Sequence, residues 1–316
     1  MDYGMKEATI LAVDGGATKT TLTIRSTGGE WLFEKTAPGT NYQTIGANAM
    51  IEVLSHLLKD AYLATNVETI DVAVFAIAGI DTIPDLETVT HIVNQSLQNT
   101  AFRINELIIE NDVQATLLGL VGNNSGALLI SGTGSIAYAT DGKGKIVRAG
   151  GWGHRASDEG SGYWIGSQII KAIFRAEDNL EKSTILKKLV FEKLQIDSID
   201  KLMTWLYQPN YTNALTASIS SVLHEAAALG DEKAIYISQW ASNELFSLVK
   251  AALAKLSYEN EAFTLYFNGG ILKHHPFILN YLQQLIHKDY PNITYMLCDE
   301  NPIESIAKRA QYALHP

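Results

Sequence analysis

Two glycine-rich turns in the sequence each follow a short apolar run that is typical of a buried strand. The first turn, Asp14–Thr20, comes after Thr9–Val13, and the second, Ser131–Ser135, comes after Ala127–Ile130. Glycine lets a backbone approach an anion closely, and successive N–H groups at such a turn form a nest for phosphate oxygens. One turn of this kind is weak evidence, but two at matching positions predict that a nucleotide's phosphates are gripped from both sides.

The first turn places a carboxylate and a cation beside its glycines. Gly15, Gly16, Thr18 and Lys19 are candidate phosphate contacts, and Asp14, at the end of the strand, is a candidate Mg²⁺ ligand acting through water. A plain hairpin turn with Asp14 as a turn former is the alternative interpretation. The turn is not a Walker motif, because the Gly-x-x-x-x-Gly-Lys-Ser/Thr pattern is absent and the turn lies between two strands.

The second turn has small hydroxyl residues where the first has a carboxylate, and Gly132, Thr133 and Gly134 are its candidate phosphate contacts. A third turn, which contains Gly269 and Gly270, closes a buried strand and opens a helix. Its glycines would let a flat ring lie against the backbone. A strand–helix junction that needs glycine only for packing explains the third turn equally well.

Asp112 lies between the two phosphate turns in the sequence, at the end of a strand and the start of a helix. An aspartate at such a position is a helix N-cap by default, worth about 1 kcal/mol. In a phosphoryl-transfer enzyme it would instead act as the general base for a substrate hydroxyl. Ligands of α/β proteins bind at the carboxyl ends of strands, so the position favours the base.

The segment Gly150–Gly162 combines five glycines, a tryptophan and two adjacent carboxylates within thirteen residues. An aromatic face and carboxylate acceptors on a flexible loop suit a sugar, whose hydroxyl groups need acceptors. Alternatively, Asp158 and Glu159 cap the helix that follows. The roles of His154 and Arg155 stay open, because a lone histidine is more often structural.

The elements that must position these residues alternate short β-branched runs with helices, which predicts an α/β fold. Strands are predicted at Thr9–Val13, Thr20–Ile24, Trp31–Thr36, Ile70–Ile77, Leu107–Ile109, Ala127–Ser131, Ile136–Thr140, Phe263–Phe267 and Ile293–Leu297. Helical periodicity marks Ala47–Leu63, Asp85–Leu97, Asp112–Val121, Tyr163–Arg175, Ser183–Leu194, Ala214–Ala228 and Lys233–Leu256.

Repetition of the strand–turn–strand unit predicts two α/β lobes, residues 1–118 and 119–300, with a large helical insertion in the second. A last helix is predicted to begin at Asn301 and to return to the first lobe. Asn301 suits the N-cap, Pro302 the first helical position, and Glu304 would complete a capping box.

Composition excludes several classes of protein. The 316 residues carry a net charge of −10, which argues against nucleic acid or an anionic membrane as a partner. A single cysteine, Cys298, excludes an internal disulfide, a CxxC zinc site and an iron–sulfur cluster held by one chain. No signal peptide or membrane-spanning run is evident, so we expect a soluble cytoplasmic protein.

Taken together, these motifs resemble the N-acetylglucosamine kinases of the BadF/BadG/BcrA/BcrD-type ATPase family, within the sugar kinase/actin/heat-shock ATPase superfamily. The resemblance is densest at Asp14–Thr20, Thr40–Gly46, Ser131–Ser135, Gly151–Ile165 and Asn268–Gly270. It implies two ribonuclease H-like lobes, the actin-like ATPase fold, that close over ATP, Mg²⁺ and a sugar.

By position, the resemblance implies that Thr18 and Thr133 contact phosphate, Asp112 is the base, and Gly269 and Gly270 form the adenosine-side turn. The implied sugar contacts are Asn41, Gly151, Trp152, Gly153 and Asp158. We therefore expect an ATP-dependent kinase that phosphorylates N-acetylglucosamine at its 6-hydroxyl, with the oligomeric state open and a homodimer as one alternative.

Three alternatives remain at this point. The chain has Ala78-Gly79 where the vertebrate kinase has Ser-Gly, which keeps glucosamine and N-acetylmuramic acid open as substrates. An activator ATPase of 2-hydroxyacyl-CoA dehydratases is disfavoured, because its shared cluster needs two cysteines per subunit and this chain has one. A non-catalytic sugar-sensing regulator is disfavoured because Asp112 is present.

Overall fold

The computed structural model describes residues 7–259 and 261–314 and divides the chain into two compact units. The first unit runs through Asn124 and resumes at Glu300, and the second comprises Ser125–Asp299. The boundary expected at residue 118 falls inside a helix, Asp112–Val121, that belongs wholly to the first unit.

The first unit begins with a three-stranded antiparallel meander and continues with two parallel strands. Its elements are β1 (Thr9–Gly15), β2 (Lys19–Ser26), β3 (Trp31–Pro38), α1 (Tyr42–Ile45), α2 (Ala47–Thr65), β4 (Thr69–Ile77), α3 (Ile83–Leu97), β5 (Arg103–Asn111) and α4 (Asp112–Val121). The sheet order is β3-β2-β1-β4-β5, in which β1 is antiparallel to β2 and parallel to β4. The carboxyl ends of β1, β4 and β5 therefore lie at the same edge of the sheet.

The second unit repeats this strand plan and adds helices. Its elements are β6 (Gly126–Ser131), β7 (Ser135–Thr140), β8 (Ile146–Gly150), α5 (Gly162–Glu177), α6 (Leu186–Leu194), α7 (Ile199–Leu206), α8 (Asn213–Ile219), α9 (Val222–Ala228), α10 (Glu232–Leu256), β9 (Phe263–Asn268), α11 (Gly270–His274), α12 (Pro276–Asp289) and β10 (Ile293–Leu297). The sheet order is β10-β9-β6-β7-β8, with β6 antiparallel to β7 and parallel to β9.

A final helix, α13 (Pro302–Ala313), packs in the first unit against α4 and β1. Alternation along β1 sends Leu11 and Val13 into a core with α2 and α3, and Ile10 and Ala12 into a second core with α13. Both faces of the first sheet are therefore covered, as parallel strands require.

The start of α13 differs from the sequence prediction. Asn301 is the N-cap residue, but its side chain makes no capping hydrogen bond, so the predicted capping box with Glu304 is wrong. The Glu304 carboxylate instead accepts hydrogen bonds from Arg25 on β2, at 2.6 and 2.7 Å. Arg25 is buried, and a buried guanidinium requires a counter-ion more than a helix end requires a second cap.

Two further elements differ from the predictions. The single helix predicted at Ala214–Ala228 is two helices, α8 and α9, separated by Ser220 and Ser221. Both serine hydroxyls donate to carbonyl groups three residues earlier, Ala217 and Ser218. Strand β8 was not predicted at all, and β5 begins four residues before the expected Leu107.

No helix in residues 7–259 or 261–314 is long and apolar enough to cross a membrane.

Candidate active site

Packing leaves no room for a side chain at the first glycine of the first turn. A Cβ on Gly15 would lie 2.4 Å from Ile77 Cδ1 and 2.5 Å from Thr40 Oγ1. The Gly16 N–H donates to the Lys19 carbonyl, and the Gly16 carbonyl accepts from Thr40 N–H, each at 3.0 Å. The turn is therefore held from both sides, with Thr18 and Lys19 exposed at its tip.

Asp14 precedes this turn on β1, and Asp112 opens α4 directly after β5. Desolvation by burial raises the pKa of Asp14 to about 6, although Lys19 partly offsets the effect. Desolvation also raises the pKa of Asp112 to about 6, and the negative charge of Asp14 adds to this. Two carboxyl groups with pKa values near neutrality share the carboxyl edge of one sheet, an arrangement typical of functional sites.

The helix-capping interpretation of Asp112 is wrong, because Asn111 caps α4. The Asn111 carbonyl oxygen Oδ1 accepts from Val113 N–H at 2.9 Å and from Gln114 N–H at 3.3 Å. Asp112 is the first residue inside the helix. Asn111 is therefore the N-cap, although the Asp112 carboxylate also accepts from Val113 N–H, a bond that partly offsets the rise of its pKa.

Asn41 lies in the first unit as well, where it caps α1. Its Oδ1 accepts from Gln43 N–H at 3.0 Å, and the Gln43 side chain donates to the Gly79 carbonyl at 3.0 Å. Gly79 has a φ of +90°, and a Cβ there would lie 2.7 Å from Asn41 Oδ1. The Ala78-Gly79 segment and Asn41 are thus neighbours, as a shared role at a substrate would require.

Helix α5 anchors the second glycine turn from its amino end. Gly162 N–H donates to the Gly132 carbonyl at 2.8 Å, and Tyr163 N–H donates to the Thr133 carbonyl at 3.2 Å. A Cβ on Gly132 would meet no atom within 4 Å, so the space in front of this residue is open. A Cβ on Gly134 would lie 2.9 Å from a carboxylate oxygen of Asp158.

A cavity of about 560 Å³ opens beside the second turn, within the second unit. Its wall includes Gly132 and Thr133 from the turn, Gly270 from the third turn, and residues of α8, α9 and α11. Ligand pockets for small molecules span about 300 to 1,000 Å³, so the cavity is large enough for a nucleoside. The structure thus brings the second and third predicted turns to one cavity.

The two glycines of the third turn do different things. Gly269 has a φ of +97°, and a Cβ there would lie 2.2 Å from the Ser131 carbonyl oxygen, so this glycine is required for packing. Gly270 lines the cavity. The packing interpretation therefore holds for Gly269, whereas Gly270 lies on the cavity wall.

Sequence reasoning missed three histidines on the cavity wall, His224, His274 and His275. The Nδ1 atoms of His224 and His275 are buried and have no hydrogen-bond partner among the residues that the structure describes. Burial lowers the pKa of His275 to about 4, with His224 and His274 adding to the shift. His275 is therefore a neutral ring, and the His-His doublet that ends α11 was the only sequence signal for it.

The loop between β8 and α5 holds the remaining predicted residues, Gly151, Trp152, Gly153 and Asp158. Trp152 is 59% exposed, whereas Asp158 is 8% exposed. The Asp158 carboxylate accepts from Ser135 N–H at 3.4 Å and from Gly153 N–H, and burial raises its pKa. Asp158 therefore joins the Gly151–Gly153 segment to the second turn.

Helix α5 is capped by Ser161, whose hydroxyl accepts from Trp164 N–H at 3.2 Å. The interpretation that Asp158 and Glu159 serve as helix caps is therefore wrong. His154 accepts at Nδ1 from the Asn213 side-chain amide at 2.8 Å, which ties the loop to α8.

The side chains and open space near the glycine turns can be compared with the ligands that Mg²⁺ and the phosphates of ATP usually have in proteins. Among residues 7–259 and 261–314, no cluster of three or more His, Cys, Asp or Glu side chains could hold a metal ion. Mg²⁺ bound with nucleotides is usually held by one or two carboxylates, the phosphates and water. Asp14 fits that pattern, and the open space in front of Gly132 fits a phosphate.

Comparison with known proteins finds relatives along most of the chain. The N-acetyl-D-glucosamine kinase of Dictyostelium discoideum is 30% identical over 299 residues, which cover 91% of this chain and 93% of that protein. The N-acetylmuramic acid/N-acetylglucosamine kinase of Clostridium acetobutylicum is 29% identical over 286 residues, covering 90% and 92%.

A solved structure from Chromobacterium violaceum, provisionally named as an N-acetylglucosamine kinase, has a TM-score of 0.72 at 20% identity and covers 96% of this chain and 99% of that one. This likeness confirms the predicted α/β fold with two lobes. The family model described as the BadF/BadG/BcrA/BcrD ATPase family matches residues 11–300. Because that match covers most of the sequence, the chain belongs to the BadF/BadG/BcrA/BcrD ATPase family.

Proposed function

We propose that this protein is an ATP-dependent amino-sugar kinase that transfers the γ-phosphoryl group of ATP to the 6-hydroxyl of N-acetylglucosamine. The observation that carries the proposal is the carboxyl group of Asp112, which follows the N-cap residue Asn111 at the carboxyl edge of the sheet and whose pKa is raised by burial to about 6. A general base works best when its pKa lies near the operating pH. The relatives from Clostridium acetobutylicum and Dictyostelium discoideum, both named as amino-sugar kinases, support the same reaction.

In the proposed reaction the hydroxyl oxygen of the sugar attacks the γ-phosphorus, and the bond from that phosphorus to the oxygen of ADP breaks. The Asp112 carboxylate accepts the hydroxyl proton. Asp14 would hold Mg²⁺ through water, and the bound ion would neutralise charge that develops on the phosphates. Thr18 and Lys19 would offer hydroxyl and ammonium donors to phosphate oxygens, and Gly15 and Gly16 would let the backbone of the turn lie close to them.

In the second unit, Thr133 would bind phosphate in the open space in front of Gly132, whose own N–H donates to the Gly134 carbonyl. The adenosine would occupy the cavity that begins at Gly132 and Gly270, with the neutral His275 ring on its wall. Neutral imidazole is both a donor and an acceptor of hydrogen bonds, which suits a nucleobase edge. Gly134 belongs to the same turn and packs on Asp158.

The sugar assignment rests on Asn41 and on the Gly151–Gly153 segment with Asp158. Asn41 retains its side-chain amide for a ligand, since only Oδ1 is used to cap α1. An amide group can donate to the carbonyl of an acetamido substituent. Trp152 offers an exposed apolar face, and a pyranose ring presents C–H groups to such a face.

A panel of sugars tests the proposal directly. The purified protein, with ATP and Mg²⁺, is assayed for ADP release on N-acetylglucosamine, glucosamine, N-acetylmuramic acid, glucose and N-acetylmannosamine, and the product is located by NMR. We expect N-acetylglucosamine to give the highest kcat/KM and the phosphate to be on O6.

N-acetylmuramic acid is the alternative substrate that the Clostridium relative's name favours. A tenfold preference for that sugar or for glucosamine would overturn the substrate assignment and leave the kinase intact. ATP hydrolysis without phosphorylation of any sugar would overturn both.

A further inference from the structure

The side chain of Arg148, on β8, contacts the segment that follows it. Its Nε donates to the Gly150 carbonyl at 3.0 Å, and its Nη2 donates to the Gly151 carbonyl at 2.5 Å. Its guanidinium carbon lies 4.2 Å from the ring centroid of Trp152, on one face of the indole. One side chain thus fixes two peptide groups and an aromatic ring in succession.

This segment needs such a contact because its backbone is unusual. Gly150 and Gly151 both have a φ of +72°, and Gly153 has a φ of +83°. Glycine peptides sample many conformations, so three of them near one another make a turn that does not hold its own shape. At the far end, Ala156 and Ser157 donate N–H groups to the Gly153 carbonyl, at 3.0 and 2.8 Å.

The indole of Trp152 is held in the same way. Its backbone N–H donates to Ser157 Oγ at 3.0 Å, and Arg148 covers one face of the ring. The side chain nevertheless remains 59% exposed. The other face of the indole is therefore the one that a ligand can contact. The orientation of that face depends on the position of the Arg148 guanidinium.

The chemistry of the contact requires arginine. A guanidinium is a planar fork that can donate to two acceptors and stack on an aromatic ring at once, whereas an ammonium is a point charge on a flexible chain. Hydrogen bonds from a charged donor are also stronger than those between neutral groups.

We infer that Arg148 is a positioning residue for the sugar: it orders Gly150 and Gly151 and sets the orientation of Trp152, so that the turn meets the pyranose without rearranging. The inference rests on the proposed function, because it assumes that this turn binds the sugar. It adds a residue that touches neither the sugar nor the nucleotide and acts through Trp152 and two carbonyl groups.

Steady-state kinetics test the inference with Arg148→Lys, which keeps the charge, and Arg148→Met, which keeps the length. Both variants should raise KM for N-acetylglucosamine at least about tenfold, the loss expected for one charge-assisted hydrogen bond. KM for ATP and the midpoint of thermal unfolding should stay close to those of the unaltered protein.

The matched control is Lys255→Met. Lys255 donates to the backbone carbonyl of Arg148 at 2.7 Å, so its loss disturbs β8 while leaving the guanidinium contacts in place. We expect this control to leave KM for the sugar unchanged. A control that raised KM as much as the Arg148 variants would assign the effect to β8 and overturn the inference.

Acrylamide quenching gives a readout that needs no substrate. The protein has five tryptophans, so the contribution of Trp152 is taken as the difference between each protein and its Trp152→Phe counterpart. Loss of the guanidinium should make Trp152 more accessible to the quencher in Arg148→Lys and Arg148→Met, but not in Lys255→Met.

These two readouts separate the inference from the function on which it rests. If the protein phosphorylates no sugar, the proposed function fails, and quenching alone decides whether Arg148 orders the turn. Unchanged quenching, an unchanged KM in Arg148→Lys, or an equal rise of KM for sugar and ATP together with a lower unfolding midpoint would each overturn the inference.

Discussion

The two units share one strand plan and differ in the residue before the first glycine of the turn, which is Asp14 before Gly15 in the first unit and Ser131 before Gly132 in the second. The Ser131 hydroxyl is fully buried and donates to the Gly160 carbonyl at 2.9 Å, so it is satisfied within the protein. The Asp14 carboxyl is desolvated, and its pKa is raised to about 6. The same position thus secures a turn in one unit and holds an incompletely stabilised charge in the other.

The helices differ in a related way. The second unit encloses its turn with α5, α8, α9 and α11 and leaves a cavity of about 560 Å³. The first unit uses α2, α3, α4 and α13 to cover its sheet. Two units with the same strand order can therefore differ in function. The difference comes from single residues near the end of a strand and from the helices that pack beside the sheet.

Among the substitutions considered, Asp112→Asn in the first unit should have the largest effect on activity. The substitution keeps the shape of the side chain and leaves Asn111 to cap α4, so the fold should survive. Turnover should fall roughly 10²- to 10⁴-fold, the range for loss of a general base. Ser131→Ala in the second unit is the matched control, and it should lower stability by about 1 kcal/mol and leave the chemical step intact. Nearly full activity of folded Asp112→Asn would remove Asp112 from the mechanism.

Two glycines of the second unit distinguish packing from ligand binding. Gly269→Ala should destabilise the protein by about 3 kcal/mol, since a Cβ there is strained and would lie 2.2 Å from the Ser131 carbonyl oxygen. Gly132→Ala meets no protein atom and should leave stability within about 0.5 kcal/mol. It should still raise KM for ATP, because the new methyl group occupies space proposed for phosphate. Denaturant unfolding measures the stability of both variants, and steady-state kinetics measure their KM for ATP. Equal losses of stability in the two variants would contradict the assignment of Gly269 to packing and of Gly132 to ligand binding.

The pH dependence of the first unit should follow its two raised carboxyl groups. A base with a pKa of about 6 is protonated below that pH, so kcat/KM should fall as the pH drops through 6.

The stability of the fold should depend on pH in the opposite sense. Between about pH 4 and 6 the folded state keeps protons that the unfolded chain has released, so the free energy of unfolding should decrease as the pH rises through this window. Asp112→Asn should flatten the kcat/KM profile measured with Mg²⁺. Without Mg²⁺ it should reduce the slope of the stability profile, with the remaining slope coming from Asp14. An unaltered stability profile would show that the pKa of Asp112 is not raised by folding.

The smallest effect on catalysis is expected at the Arg25–Glu304 pair, which belongs to the first unit but lies away from its turn. Glu304→Gln leaves the buried Arg25 guanidinium without its bidentate counter-ion and should destabilise the protein by about 2 kcal/mol. KM and kcat should change less than twofold when measured well below the unfolding temperature. Lys35→Met, which breaks an exposed ion pair with Asp60 in the same unit, is the control and should cost less than about 1 kcal/mol.

Much of the fold could be predicted because its signals are local. Apolar β-branched runs and the glycines that end them gave the positions of β1, β2, β6 and β7. Strand β8 has only five residues, with Arg148 among them, and it exists because it pairs with β7. A short strand that forms because a neighbouring strand pairs with it has no strong strand pattern in its own sequence.

Site residues could be predicted from the sequence where they come directly after a recognisable strand. Asn111 and Asp112 are both good capping residues, and only the backbone at the start of α4 decides between them. The partner of Glu304 is 279 residues away, so the sequence near Glu304 suggested a local capping box instead. His224 lies on α9, whereas His274 ends α11 and His275 follows it, and only the folded chain brings these side chains together.

The position of α13 also affects the order in which the chain is completed as it leaves the ribosome. The second unit is one continuous stretch, Ser125–Asp299, and has all of its elements before Glu300 is synthesised. The first unit starts earlier and finishes later, since α13 supplies Ile303, Ile306 and Ala310 to the core that covers Ile10 and Val72. During synthesis one face of the first sheet is therefore covered only by α4 until α13 emerges, and nascent chains with exposed apolar faces are those that aggregate or engage chaperones. Truncation from the carboxyl end thus damages the unit that is made first.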